Sequence, residues 1–152
     1  MCDVSRFILA QENSYTQVLK EINNGKKQSH WMWFIFPQIT GLGQSATAKK
    51  YEIKNKEEVE AYLLEETLSK RLIELTGILA YEINNKSAEE IFGFPDYLKF
   101  HSSLTLFSSV VNSNNLFRGK KEFLCFEDAL LKYYKGKPDK KTLDILNSKT
   151  NF

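Results

Sequence analysis

Apolar residues in this chain recur at three- and four-residue intervals over most of its length. That spacing lines one face of a helix and scatters over both faces of a strand, so it constrains the fold more than any other feature. Tyr15, Val18, Leu19 and Ile22 stand at i, i+3, i+4 and i+7, and Asn23-Asn24-Gly25 closes the run. The longest periodic stretch covers residues 57–84, where Val59, Tyr62 and Leu63 mark one piece and Leu68, Leu72, Leu75, Ile78, Leu79 and Ile83 a second. Boundary residues bracket these pieces: Asp3 before Val4, Phe7 and Ile8, Ser14 before the Tyr15 run, and Thr67 before Leu68. Ser87 and Glu90 have capping-box spacing ahead of Gly93. Pro95 and Asp96 then open a helix striped by Phe100, Leu104, Phe107 and Val111. Asn112 to Gly119 reads as a loop. Phe126, Ala129, Leu130 and Tyr133 form a further helix ending near Gly136-Lys137-Pro138, and Asp139, Thr142, Leu143 and Leu146 a short last one.

The segment Trp31-Met32-Trp33-Phe34-Ile35-Phe36, ended by Pro37, is apolar throughout. Its only β-branched residue is Ile35, and nothing else in the chain offers a partner strand, so it is expected to be helical. The expectation is an all-α fold: a compact multihelical single domain over residues 1–152, of about six to eight short helices without a significant sheet. Residues 148–152 are expected to fray.

Composition narrows the functional classes. With 42% hydrophobic residues the chain is too apolar for disorder, yet no apolar run approaches the roughly 18–20 residues of a membrane helix. The N-terminus lacks a secretory signal pattern. Two cysteines, Cys2 and Cys125, are too few for a disulfide framework and fit a reducing cytoplasm. They and the two histidines lack ligand spacing, so no metal and no cofactor are expected. The net charge is +2, and only three of the 21 cations are Arg, so a nucleic-acid binder is disfavoured.

The distribution of charge says more than its sum. No Asp or Glu occurs between Glu21 and Glu52 or between Asp96 and Glu122. These windows carry Lys26, Lys27, Lys49, Lys50, Lys99, Arg118, Lys120 and Lys121 together with His30 and His101. Core and loop segments are poor in acids for unrelated reasons, but the retained cations equally suit an anion-favouring surface or pocket.

Several residues in these windows have chemistry to offer. Gly41-Leu42-Gly43-Gln44-Ser45 precedes a short helix from Ala46, and such a turn presents backbone N–H groups to an anion. Ser45 is either the N-cap of that helix or a hydroxyl donor to a ligand. The spacing matches neither a phosphate-binding loop nor a dinucleotide fingerprint, so a plain turn explains it as well. Lys99, Ser102 and Ser103 share a helical face that suits either an anion or a small-residue packing seam. His30 is a general base, a stacking partner or a hydrogen-bonded core residue. Trp31 and Trp33, two residues apart, cannot share a helix face, so one enters the core and the other lines a cavity. Gln38 adds a donor and an acceptor beside Pro37. Cys125 reads as buried packing.

The run Ser29-His30-Trp31-Met32-Trp33-Phe34-Ile35-Phe36-Pro37-Gln38, followed by Gly41-Leu42-Gly43-Gln44-Ser45, resembles the bacterial domain-of-unknown-function 1810 family. The resemblance extends to Arg6-Phe7, Ala10-Gln11, Ala61-Tyr62-Leu63, Arg71-Leu72, Ile91-Phe92-Gly93, Pro95-Asp96, Lys99, Ser102-Ser103, Thr105-Leu106-Phe107, Pro138-Asp139 and Thr142-Leu143. It implies a compact multihelical domain in a bacterial cytoplasmic protein and implies no activity. The chain departs from the family pattern at Glu65-Glu66-Thr67, Ser69, Tyr97 and Leu104, and residues 118–124 look like added length.

The preferred reading places one polar-aromatic pocket for a small anionic ligand, a nucleotide or ADP-ribose-like molecule, in an all-α protein. Trp31 or Trp33 stacks a ring. The backbone at Gly41, Gly43 and Ser45, with Lys99 and Ser102, receives the anion, and His30 and Gln38 orient it or do acid–base work in a hydrolase or transferase. The alternative is a protein-interaction module with a lysine-rich face and no catalysis. The oligomeric state is open.

Overall fold

Each apolar stripe in the sequence needs a partner to cover it, and the chain answers with helix packed on helix. The structure, a computed structural model, describes residues 2–150, with side chains up to Ser148. Among the described residues the helices are α1 (Ser5–Glu12), α2 (Tyr15–Asn23), α3 (Met32–Ile35), α4 (Ala46–Tyr51), α5 (Lys56–Leu64), α6 (Glu66–Tyr81), α7 (Ala88–Phe92), α8 (Asp96–Ser113), α9 (Leu124–Tyr134) and α10 (Lys140–Thr150). A single 3₁₀ turn, Lys121–Phe123, precedes α9. The all-α class stands, and the count of ten corrects the expected six to eight. The surplus lies in helices such as α3, α4 and α7, which are too short to display a full apolar period. Extended pairing among the described residues is confined to one parallel bridge between Ile39 and Ile53, where Thr40 N donates to Ile53 O and Ile53 N to Gln38 O, each at 2.8 Å.

Helix α8 is the centre. Phe100, Leu104, Phe107 and Val111 are buried as its stripe predicts, but so are Leu106 and Val110 on the other flanks. Two of its buried hydroxyls turn to its own backbone: Ser102 Oγ donates to Leu98 O at 3.2 Å and Thr105 Oγ1 to His101 O at 2.9 Å. Phe100 meets Phe92 of α7 at 4.6 Å between ring centroids and Phe36 at 4.9 Å. α9, α10, α7 and α5 all pack on α8.

Boundaries follow cap chemistry with local corrections. Ser87 and Glu90 form the expected reciprocal box at α7. Thr67 does not cap α6: the Glu65 carboxylate accepts from Leu68 N at 2.8 Å, two residues earlier. Asp3 accepts from Ser5 N while Val4 holds the cap position of α1. α8 runs on to Ser113, two residues into the expected loop, and the loop after it is anchored by Phe117 and Phe123, both buried and 5.3 Å apart edge-to-face. That pair gives the added 118–124 segment a packing role. α10 is assigned through Thr150; of the tail expected to fray from Ser148, Asn151 and Phe152 lie outside the described residues.

One buried carboxylate governs the entry to the aromatic block. Glu21, 2% exposed at the end of α2, accepts from Gln28 N at 2.7 Å, Ser29 N at 3.0 Å, Ser29 Oγ at 2.5 Å, Gln17 Nε2 at 2.8 Å and Trp31 Nε1 at 2.9 Å. Burial by itself pushes the carboxyl upward, and the hydrogen bonds from Ser29, Gln28, Gln17 and Trp31 together outweigh it and hold its pKa at about 2. Its folded pKa lies below its unfolded value, so the stability it contributes is present above about pH 4.5 and is lost as the pH falls toward 2. Across that window the shift corresponds to about 3 kcal/mol. Glu21→Gln should therefore lower the unfolding free energy by about 3 kcal/mol at pH 7. In urea titrations the gap from the wild type should narrow as the pH approaches 2; a gap unchanged at low pH would remove the ionised carboxylate from this account.

Candidate functional site

Burial along the middle of α8 leaves its first turns open to solvent on one side. Pro95 and Asp96 start it, and Leu98, His101 and Ser102 follow at i, i+3 and i+4 on one face. The beginning of α10 docks beside that face through Asp139, which acts as a helix cap. Its Oδ2 accepts from Thr142 N at 3.2 Å, Thr142 Oγ1 at 2.6 Å and Ser102 Oγ at 3.2 Å. In the other direction Asp139 N donates to Thr105 Oγ1 at 2.8 Å. The cap thus joins two helices as well as starting one.

Between these elements and the loop after Pro37 lies a cleft of about 410 Å³, lined by Gln38, Leu42, Gly43, Pro95, Leu98, Lys99, His101, Ser102, Asp139, Lys140 and Lys141. Lys99 Nζ sits 5.0 Å from the centroid of the Trp33 ring and 3.7 Å from Asp96 Oδ1. Asp96 is more closely engaged by Lys27, at 2.8 Å. Lys140 pairs with Asp144 at 3.1 Å, with both side chains largely in solvent, a geometry that water and salt weaken. Cations therefore outnumber carboxylates around the cleft: Lys27, Lys99, Lys140 and Lys141 against Asp96, Asp139 and Asp144. His101 stacks on Tyr134, 4.1 Å between centroids and 9° between planes. Its Nε2 lies 2.7 Å from Lys137 O, and because a carbonyl only accepts, Nε2 is the donor of this pair and Nδ1 is the ring nitrogen left for other partners.

The expected site residues divide. Gln38, Gly43, Lys99 and Ser102 come together in the cleft. Trp33 lies against it through Lys99 and lines a separate small recess with Gln38, Gly43 and Tyr51. Trp31 is buried in the core with its indole N–H on Glu21, so the two tryptophans split as their spacing requires, and Trp31 is not on a ligand surface. Ser45 is the N-cap of α4, its hydroxyl accepting from Ala48 N at 3.1 Å. Gly41, with φ +94°, directs its N–H to Glu52 Oε2 at 3.4 Å. His30 is exposed and is not among the cleft residues. Gly43 is needed for space: a Cβ there would stand 2.5 Å from Ala48 Cβ.

Sequence reasoning missed His101, Asp139, Lys140 and Lys141. His101 stood in an acid-free window beside Ser102, and Asp139 was legible as a cap with Thr142, but nothing local showed that the two segments meet. Cys125 is buried, and burial pushes its thiol up to about 12, which suits packing and not nucleophilic attack. Among the described residues no group of three His, Cys, Asp or Glu side chains is placed to hold a metal ion, and no helix is long and apolar enough to cross a membrane.

A family profile described as "Protein of unknown function (DUF1810)" matches residues 1–146. The chain belongs to the DUF1810 family. Among solved structures it is similar to the conserved hypothetical protein Rv1873 from Mycobacterium tuberculosis, at 42% identity over 95% of this chain and 96% of that one, with a TM-score of 0.86. No curated protein matches it. Family membership accounts for the shared fold of this DUF1810 chain and leaves its activity to be argued from the cleft.

Removing the cap should expose how much of that cleft depends on one carboxylate. Asp139→Ala strips Thr142 of its acceptor and leaves Ser102 only Leu98 O, and a lost N-cap typically costs about 1–2 kcal/mol. The expected result is a drop of that size in urea unfolding, with exchange protection falling first at the amides of α10. Loss spread evenly over the molecule would contradict a local docking role.

Proposed function

We propose that the cleft between the start of α8 and the start of α10 binds a small anionic molecule. The observation that supports this most is the lining itself: Lys99, Lys140, Lys141 and His101 share one concave surface whose only carboxylate, Asp139, already accepts three hydrogen bonds. A volume of about 410 Å³ falls in the range of small-ligand sites. The first residues of α10 line the cleft, so the positive end of that helix adds to the lysines.

The finer version, a nucleotide or ADP-ribose-like ligand, rests on the size of the cleft and on a flat face for a ring. Trp31 supplies none. His101, backed by Tyr134, is the planar group in the lining, and Gln38 supplies an amide for polar edges. Catalysis by His30 does not belong to this reading, since His30 is not in the lining; any proton transfer here falls to His101 Nδ1. We place the protein in a reducing compartment such as the bacterial cytoplasm, a reading that two free cysteines suit.

A ligand present at a hundred times its Kd should raise the unfolding midpoint by about 5–10 °C. The test is a thermal scan against a panel of nucleotides and phosphorylated metabolites. Lys99→Ala and Lys141→Ala, both at partly or fully exposed positions and expected to fold, should reduce the shift, and raised salt should do the same. A panel without any shift would sink the reading, and co-purification of one stoichiometric acidic protein would favour the interaction module instead.

A further inference from the structure

The cleft has a second kind of wall. Leu42, Pro95 and Leu98 line it together with the lysines. Leu98 is 45% exposed, and Phe94, immediately before Pro95, is 76% exposed. Leu98 thus places exposed apolar surface inside the lining, beside the lysines. On α8, Leu98 stands one turn before His101 and Ser102 and directly beside Lys99, so the apolar and the cationic parts of the lining adjoin along one helix edge. Gly43 sits next to Leu42 in the loop that closes the other side.

An inorganic anion engages only half of this lining. It would occupy a small part of about 410 Å³, compared with a water's share of about 30 Å³, and would leave Leu42, Pro95 and Leu98 wet. A wholly apolar ligand meets the opposite mismatch, because it strips water from ammonium groups and returns no charge or hydrogen bond. Resting on the reading of this cleft as an anion site, we infer that its ligand is an amphipathic anion: a phosphate or carboxylate group joined to an apolar body, with the head at Lys99, Lys140 and Lys141 and the body against Leu42, Pro95 and Leu98. Lysine stems extend the apolar contact while their ammonium groups stay at the head.

The test is a homologous series followed by NMR titration of the full chain: methyl, butyl and hexyl phosphate, hexanoate, and uncharged hexanol. Each methylene taken out of water is worth about 0.8 kcal/mol, or about fourfold in Kd. Affinity should therefore rise steeply from methyl to hexyl phosphate, with shifted resonances at Leu98, Leu42 and the first turn of α10. The comparison of hexyl phosphate with hexanoate decides which head group is preferred. Leu98→Ser should flatten the series, reducing the ratio of hexyl to methyl phosphate affinity toward one, and Leu42→Ser gives the same readout from the loop side. Equal affinity for methyl and hexyl phosphate overturns the amphipathic ligand and leaves the anion site standing. Hexanol binding as well as hexyl phosphate overturns both, as does the absence of any binding in the series.

Discussion

Helix α8 is enclosed by α5, α7, α9 and α10 along most of its eighteen residues, and the consequences of that enclosure run through the whole molecule. A helix buried on nearly all sides cannot carry charge in its middle, which is why the acid-free window after Asp96 exists: residues 100–111 hold no ionisable group except His101. Its small hydroxyls turn back on their own carbonyls and let neighbouring helices approach closely. Its first turns stay open, with Leu98, Lys99 and His101 partly or fully exposed, and the cleft lies where the enclosure stops on that side.

Carboxylates at Glu21, Asp96 and Glu58 act as structural pins. Glu21 gathers the loop leading to Trp31. Asp96 draws Lys27 to the N-terminus of α8, where a negative charge also complements the helix dipole. Glu58, buried, takes a bidentate pair from Arg6 at 3.1 and 3.2 Å, and the same guanidinium holds Lys50 O and Glu52 O at 2.8 Å, which fixes the segment bridged to the loop after Pro37. Where carboxylates are consumed in this way, the lysines at the cleft are left without full compensation. A net charge near zero therefore coexists with a local positive site, because the acids are spent on structure.

Much of the fold was legible because it is local. Periodicity located the long helices, and the Ser87 box and the Pro95 start lie within single turns. The errors are also local in kind: Thr67 and Glu65 compete for the same cap, and a carboxylate at Glu65 reaches Leu68 N first. The site was legible only in halves. Gln38, Gly43, Lys99 and Ser102 were reachable from composition and spacing, whereas His101 and Asp139 matter through contacts 36 residues apart and 37 residues apart. No pattern along the chain encodes that docking. Ser45 and Gly41 looked like anion donors for a sound reason, free N–H groups at a turn, but Ser45 satisfies its own helix and Gly41 meets Glu52.

The partner chosen for Lys99 bears on what the cleft is for. A lysine can be fixed by a carboxylate, which neutralises it, or by an aromatic face, which attracts the ammonium without cancelling its charge. Lys99 lies over Trp33 at 5.0 Å, and its nearest carboxylate, Asp96 at 3.7 Å, is held more tightly by Lys27. Trp33 thereby limits the rotamers of a long flexible side chain, whose ordering otherwise costs up to about 2 kcal/mol, and keeps the ammonium available at the edge of the cleft. The tryptophan thus bears on the cleft through the lysine it holds. The two tryptophans of the aromatic block then have unlike duties that follow from their offset by two residues: Trp31 turns inward to satisfy Glu21, and Trp33 turns outward to hold a charge in place without neutralising it.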